Sequence, residues 1–328
     1  MWLILAIVIA IPLAAAIYLA TLDGSFRVRR SLEIEAPAEA AFNAIVDFKS
    51  WPQWSPWLMH EPDAAIVYSD NFQQEGGYYS WDGKVVGAGK LTHLSIEPHS
   101  RIVQQIEFIR PFKTVNQVSW EFESRDDHTL VHWEMAGKMP FLFRFMASRM
   151  EPMIGRDYEL GLALLNGYLN SAAAHPTIGF VGRQELEDFS YWAIPCNGNL
   201  RQIEAARQPA IESLTAAAAG KTGLALTIYH QFDPQASIYR TEIALPVIDS
   251  TPSSNYTRRE FKGGSYFRMT LQGDHAFIPL GWYALSCHCR MHRIKQDKSR
   301  PALEIYHDSP VDKGDSNRME TALYFPIR

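Results

Sequence analysis

Cysteine is scarce: Cys196, Cys287 and Cys289 are the only three thiols in 328 residues. An odd number cannot all pair within one chain, and Cys287 and Cys289 stand too close for an ordinary bridge. A disulfide framework is therefore excluded and a reducing compartment favoured. No long run of Lys or Arg occurs and the formal charge is −5. The basic footprint of a nucleic-acid-binding surface is missing, which excludes nucleic acid as an expected partner. Also absent are a Walker loop, a dinucleotide fingerprint and a Gly-x-Ser-x-Gly elbow. Cys287-His288-Cys289 with His292 invites a zinc reading. On a helix, however, positions 287 and 289 point about 200° apart, and no second ligand pair follows at zinc-finger spacing. No metal and no cofactor are expected.

What is present is ordinary globular material, 47% hydrophobic and 20% charged, enough for about two domains. The exception is the N-terminus, where residues 2–22 carry no charged side chain and one proline, Pro12. That length suits a single membrane-spanning helix over residues 1–26. A cleaved signal peptide is the rival, but its positive n-region is missing. Arg27, Arg29 and Arg30 follow the run, which predicts a single-pass protein of the cell inner membrane with its domains on the cytoplasmic side.

Residues 28–172 read as an α+β domain. Leu32 and Ile34 alternate with Glu33 and Glu35 in a half-buried strand. Pro37 opens a short helix over 38–48 with Ala41, Phe42, Ile45 and Val46 inward. Trp51-Pro-Gln-Trp54-Ser-Pro-Trp57 is a stiff loop with three indoles. These could guard an entrance, rest on a membrane surface or pack the loop onto the sheet; packing is the reading favoured here. Strand-like runs cover 78–81, 89–96, 102–108, 116–123 and 129–135, and a long helical pattern follows Pro140 to about Asn170. A curved sheet around one long helix leaves room for a cavity. Its candidate lining is Trp81, Phe108, Trp120, Trp133, Phe145, Met150 and Tyr158, each of which would serve equally as plain core. His132 and Glu134 share a strand face and read as solvated.

Residues 178–328 repeat themselves. Ile228-Tyr229-His230 precedes Thr241 and Pro246 as Ile305-Tyr306-His307 precedes Thr321 and Pro326. Each copy carries an upstream strand and helix, 188–195 with 200–218, and 265–271 with 275–295. The unit is strand–helix–strand–strand, twice, which predicts one pseudo-symmetric sheet with a groove. Alternation puts Ala302, Glu304 and Tyr306 on one face and Leu303 and Ile305 on the other. Thr227 stands where Glu304 stands in the second copy.

Two resemblances accompany these patterns. The Phe42–Trp57 stretch, with Tyr79-Ser-Trp81-Asp-Gly83, Gly87-Ala-Gly89 and Phe108-Ile-Arg-Pro111-Phe112, resembles the SRPBCC superfamily, the START-like helix-grip fold that includes polyketide cyclases. That resemblance implies an apolar cavity for lipids or other hydrophobic compounds and no single reaction. Residues 181–328, above all Pro301-Ala-Leu-Glu304-Ile-Tyr306-His-Asp308-Ser-Pro310, resemble the GyrI-like effector-binding domains attached to AraC-type regulators. The resemblance implies a pocket in which an acid at the place of Glu304 meets cationic or polar ligands among aromatics. Tyr191, Tyr229, Phe267, Trp282, Tyr283 and Tyr306 are the candidate aromatics. No segment is left for the helix-turn-helix of such regulators. A partly desolvated Glu304 would hold a cation or take a raised pKa suited to acid/base work. The expectation is a membrane-anchored, non-catalytic binding protein. Its START-like cavity would take a hydrophobic or amphipathic ligand, and its GyrI-like groove a cationic or aromatic one. The alternatives are a hydrolase or cyclase using Glu304 as acid/base, and a scaffold with filled pockets.

Overall fold

Alternation of inward and outward side chains builds the first sheet of this protein, whereas the central strands of the second bury both faces. A computed structural model describes residues 2–218, 222–230, 238–248, 256–307 and 319–328, with side chains from Ala10 onward. It divides into two compact units, Met1–Ala173 and Ala174–Arg328. The last residues of the Pro301–Pro310 string, 308–310, lie outside the described residues.

The first unit begins with helix α1 (Trp2–Thr21), which contains Pro12. Strand β1 (Ser25–Ile34) and helix α2 (Ala38–Val46) follow. Six further strands are β2 (Ala65–Tyr68), β3 (Tyr78–Asp82), β4 (Ala88–Glu97), β5 (Arg101–Arg110), β6 (Thr114–Arg125) and β7 (His128–Lys138). Helix α3 (Ala147–Leu169) closes the unit. The seven strands form one antiparallel sheet in the order β1-β7-β6-β5-β4-β3-β2. Thr129, Val131, Trp133 and Met135 of β7 face inward, while His132 and Glu134 between them face outward. Period-2 alternation thus delivers Trp133 to the interior, and Val118, Trp120 and Phe122 arrive from β6 in the same way. On α3, Tyr158, Leu162 and Leu165 recur at helical spacing and bury one stripe. The long helix packs with this sheet around a shared core, the arrangement of a helix-grip fold.

Three expectations about the N-terminus are corrected here. Among the described residues no helix is long and apolar enough to cross a membrane. The single-pass inner-membrane placement falls with the anchor, and so does the orientation drawn from the arginines. Arg27, Arg29 and Arg30 lie within β1 and serve the domain. Arg27 pairs with Glu134 at 3.2 Å and Arg29 with Glu121 at 2.9 Å. Arg30 pairs with Glu151 and Glu159 of α3, each at 2.7 Å.

The second unit contains strands β8 (Thr177–Leu186) and β9 (Phe189–Gly198), helix α4 (Leu200–Ala217), then β10 (Leu226–Tyr229), β11 (Tyr239–Pro246), β12 (Arg259–Phe261) and β13 (Gly264–Gln272). Helix α5 (Ile278–Met291), β14 (Ala302–Tyr306) and β15 (Glu320–Pro326) complete it. Both β9-α4-β10-β11 and β13-α5-β14-β15 run strand, helix, strand, strand. The eight strands form one sheet in the order β12-β9-β11-β10-β14-β15-β13-β8. The second strands of the two runs, β10 and β14, meet at its centre with Thr227 opposite Glu304. A capping box starts α4: Asn199 Oδ1 accepts from the Gln202 backbone N–H at 3.0 Å, and Gln202 Oε1 accepts from the Asn199 N–H at 2.9 Å. Ile203, Arg207, Ala210 and Leu214, at helical spacing, form its buried stripe.

Candidate functional site

In the first unit the sheet and α3 bring together an aromatic column. Trp120 and Trp133 stack with ring centres 4.2 Å apart, and Trp133 stacks on Tyr158 at 3.9 Å with planes 9° apart. The approach of α3 depends on Gly161, since a Cβ there would come within 2.7 Å of the Trp133 ring. Trp51 and Trp54 set their edges against Trp120 and Trp133. Both are buried and bonded: Trp51 Nε1 donates to the Ile45 carbonyl at 3.0 Å and Trp54 Nε1 to Ser50 Oγ at 3.1 Å. The indole loop is therefore packed, and Trp57 edges onto Trp133.

Other groups define the polarity of this interior. Trp120 Nε1 donates to Gln104 Oε1 at 3.0 Å, Gln104 Nε2 faces His93 Nδ1 at 3.4 Å, and His93 Nε2 meets the Val46 carbonyl at 3.1 Å. Burial lowers the His93 pKa to about 4, so the ring is neutral. Trp133 Nε1 and Tyr158 Oη are buried without a hydrogen-bond partner. Burial above all, with Asp157 and Glu134 behind it, raises the Tyr158 pKa well above its ordinary value and keeps its proton on. Trp81 packs edge-on against half-buried Phe108, and Met150 is buried in the same core. Phe145 is half exposed and does not join them.

In the second unit the residues converge on Glu304, which has no exposed surface. Tyr229 Oη and Trp282 Nε1 each donate to Oε1 at 2.6 Å, and Tyr306 Oη donates to Oε2 at 2.6 Å. Tyr229 and Tyr306 come from corresponding strands of the two runs. Trp282 comes from α5. Thr227 Oγ1 lies 2.6 Å from Tyr306 Oη. Since the tyrosine proton goes to the carboxylate, the threonine hydroxyl is the donor of that contact. Burial, followed by the charge of Glu304, raises both tyrosines well above their ordinary pKa. They are fixed donors around a carboxylate.

Arg207, unanticipated from the sequence, completes this group. It is 6% exposed; its Nη2 stands 3.7 Å from Glu304 Oε2 and its guanidinium lies 4.9 Å from the Tyr306 ring centre. Burial pulls its pKa down, but Tyr306, Glu304 and Tyr229 outweigh that and the net shift is upward. The signal lay in the sequence at Ile203, Arg207, Ala210 and Leu214, where an arginine sits on the apolar stripe of a helix. His275 adds a ring 5.3 Å from that of Tyr306, with a pKa lowered to about 4 by burial and then by Arg207.

The remaining candidates lie elsewhere. Tyr191 belongs to the cluster of Leu303 and Ile228, on the side of the sheet away from Glu304, and its hydroxyl donates to Glu242 at 3.2 Å. Phe267 shares the cluster of Trp282, Tyr229 and Tyr306 but approaches His288, at 5.2 Å between rings. Tyr283 is half-buried on α5. On that helix Cys287 and Cys289 are buried, and His288 stacks on Phe180 at 3.8 Å. Among the described residues no cluster of three or more His, Cys, Asp or Glu is placed to hold a metal ion.

Comparison with known proteins gives three kinds of finding. The curated proteins contain no match. CalU16 from Micromonospora echinospora is similar at 17% identity over 44% of this chain and 85% of its own, with a TM-score of 0.32. The C-terminal domain of EcmrR is similar at 14% identity over 47% of this chain and 98% of its own, with a TM-score of 0.39. EcmrR in complex with DNA is similar at 15% identity over 58% of this chain and 72% of its own, also at 0.39. EcmrR is found in complex with DNA, so the exclusion of nucleic acid, argued from net charge, the lack of a basic run and the lack of a helix-turn-helix segment, does not stand. Residues 25–169 match a family described as "Polyketide cyclase / dehydrase and lipid transport". Seven antiparallel strands packed on α3 fit that match, which supports an SRPBCC-type domain over this segment.

Proposed function

We propose that this protein binds small molecules without transforming them, through two separate sites. The first unit would take a hydrophobic or amphipathic ligand in the helix-grip interior, against Trp81, Phe108, Trp120, Trp133 and Tyr158. The second, read as a GyrI-like effector-binding domain over 178–328, would take an aromatic ligand beside Glu304, Tyr229, Tyr306 and Trp282. The single observation that carries this reading is the Glu304 group, a carboxylate with no exposed surface and three donors at 2.6 Å from two strands and a helix. Buried ionised groups are expensive, and such concentrations of them mark functional sites. The family of residues 25–169, which includes lipid transport, supports the reading for the first unit.

Native mass spectrometry of the gently purified chain, followed by uptake of a hydrophobic dye, tests it. Bound small molecules or saturable dye uptake support the proposal. A protein that carries nothing and takes up nothing refutes it.

A further inference from the structure

The ligand class of the Glu304 site follows from Arg207, on the premise that the site binds small molecules as proposed above. The guanidinium occupies the position an aromatic pocket offers to a cation, over the face of the Tyr306 ring and next to a carboxylate. At 3.7 Å its contact with Glu304 is an ion pair too long for a hydrogen bond. Its Nε is buried with no hydrogen-bond partner, and the Nε2 of neighbouring His275 is buried in the same condition. Glu304 has three donors already, whereas the Arg207 Nε–H lacks an acceptor. The group is short of oxygen and supplied with positive charge.

We propose that this site takes an aromatic ligand bearing a planar acceptor oxygen, a carboxylate or a carbonyl, held by Arg207, and that Arg207 turns cations away. A planar guanidinium fork suits such an oxygen, in one or two hydrogen bonds. His275, neutral because burial and Arg207 depress its pKa to about 4, can add a donor at the same place. A second cation would have to displace Arg207 or sit beside it in a medium of low dielectric.

The test is isothermal titration of the full chain with three probes of one shape: 2-naphthoate, 2-acetylnaphthalene and a 2-naphthyl-trimethylammonium salt. The wild type should bind the carboxylate, the ketone or both at least about tenfold more tightly than the ammonium, the size of one charge-assisted contact. Arg207→Met should reverse the order, since Glu304 is then unmasked, and Arg207→Lys should keep it. A wild type that prefers the ammonium, or an order unchanged in Arg207→Met, overturns the proposal while leaving small-molecule binding intact. Absence of binding by every probe to every variant removes the binding premise as well. The wild-type order decides the matter even where circular dichroism shows Arg207→Met to be unfolded.

Discussion

Thr227 and Glu304 stand opposite each other at the centre of the second sheet, and the side chain that joins them is Tyr306. The threonine hydroxyl donates to Tyr306 Oη, which donates to Glu304 Oε2, both at 2.6 Å. One run thus contributes a neutral hydroxyl where the other contributes an acid. Thr227→Val removes the first donor of this chain and should cost about 1 kcal/mol. A urea denaturation series should show the loss, and Tyr306→Phe in the same background should make Thr227→Val nearly neutral.

Glu304→Gln should be far more damaging than Thr227→Val. It leaves the Arg207 guanidinium buried without its counter-charge, a situation that costs about 3–5 kcal/mol. Glu304→Gln combined with Arg207→Met should recover a good part of that loss. A double-mutant cycle measured by chemical denaturation gives the coupling directly. An additive result would mean that the two charges do not sense each other.

In the first unit, Gly161→Ala should destabilise by about 1–3 kcal/mol, because its new Cβ meets the Trp133 ring at 2.7 Å in a packed interior. The near-ultraviolet circular dichroism of the Trp120–Trp133–Tyr158 column should change with it. The exposed strand position Glu123 should tolerate alanine with no such change.

Acid should destabilise the protein before its carboxylates titrate. His93, His275 and His288 each have a pKa lowered to about 4, with burial as the largest cause, against 6.5 in the unfolded chain. A lowered folded pKa means that the unfolded state binds more protons in this window. The contribution is therefore complete above about pH 6.5 and is lost as pH falls towards 4. For His93, wholly buried, the loss amounts to up to ~3 kcal/mol. His93→Gln should flatten the fall in stability between pH 7 and 4, read from denaturant midpoints at each pH.

Period-2 alternation made most of the first sheet legible, because β6 and β7 bury every second side chain; the strand expected over 116–123 is found as Thr114–Arg125. The repeat around Tyr229 and Tyr306 exposed the two strand–helix–strand–strand runs. Strand β8 is not legible in the sequence because Thr177–Leu186 contains two glycines, and Gly182 takes a φ of 109° beside a bulge. The four residues of β2 are too few for a period to show. The apolar N-terminal run suggested an anchor from composition, but composition could not reveal that Arg27, Arg29 and Arg30 are strand residues paired to Glu134, Glu121, Glu151 and Glu159. The inward direction of Glu304 is legible from the strand pattern. Its internal counter-charge is not, because Arg207 is distant in sequence and a charged residue on an apolar stripe names no partner.

The most direct test of the account follows the indole N–H of Trp282, which donates to Glu304 Oε1. In protein labelled with nitrogen-15 tryptophan, the resonance absent from Trp282→Phe identifies this group among the nine indoles. Titration with 2-naphthoate should shift that resonance saturably, and the shift should disappear in Arg207→Met. A Trp282 resonance that stays in place at saturating ligand would show that the Glu304 group is a structural ion cluster and not a binding site.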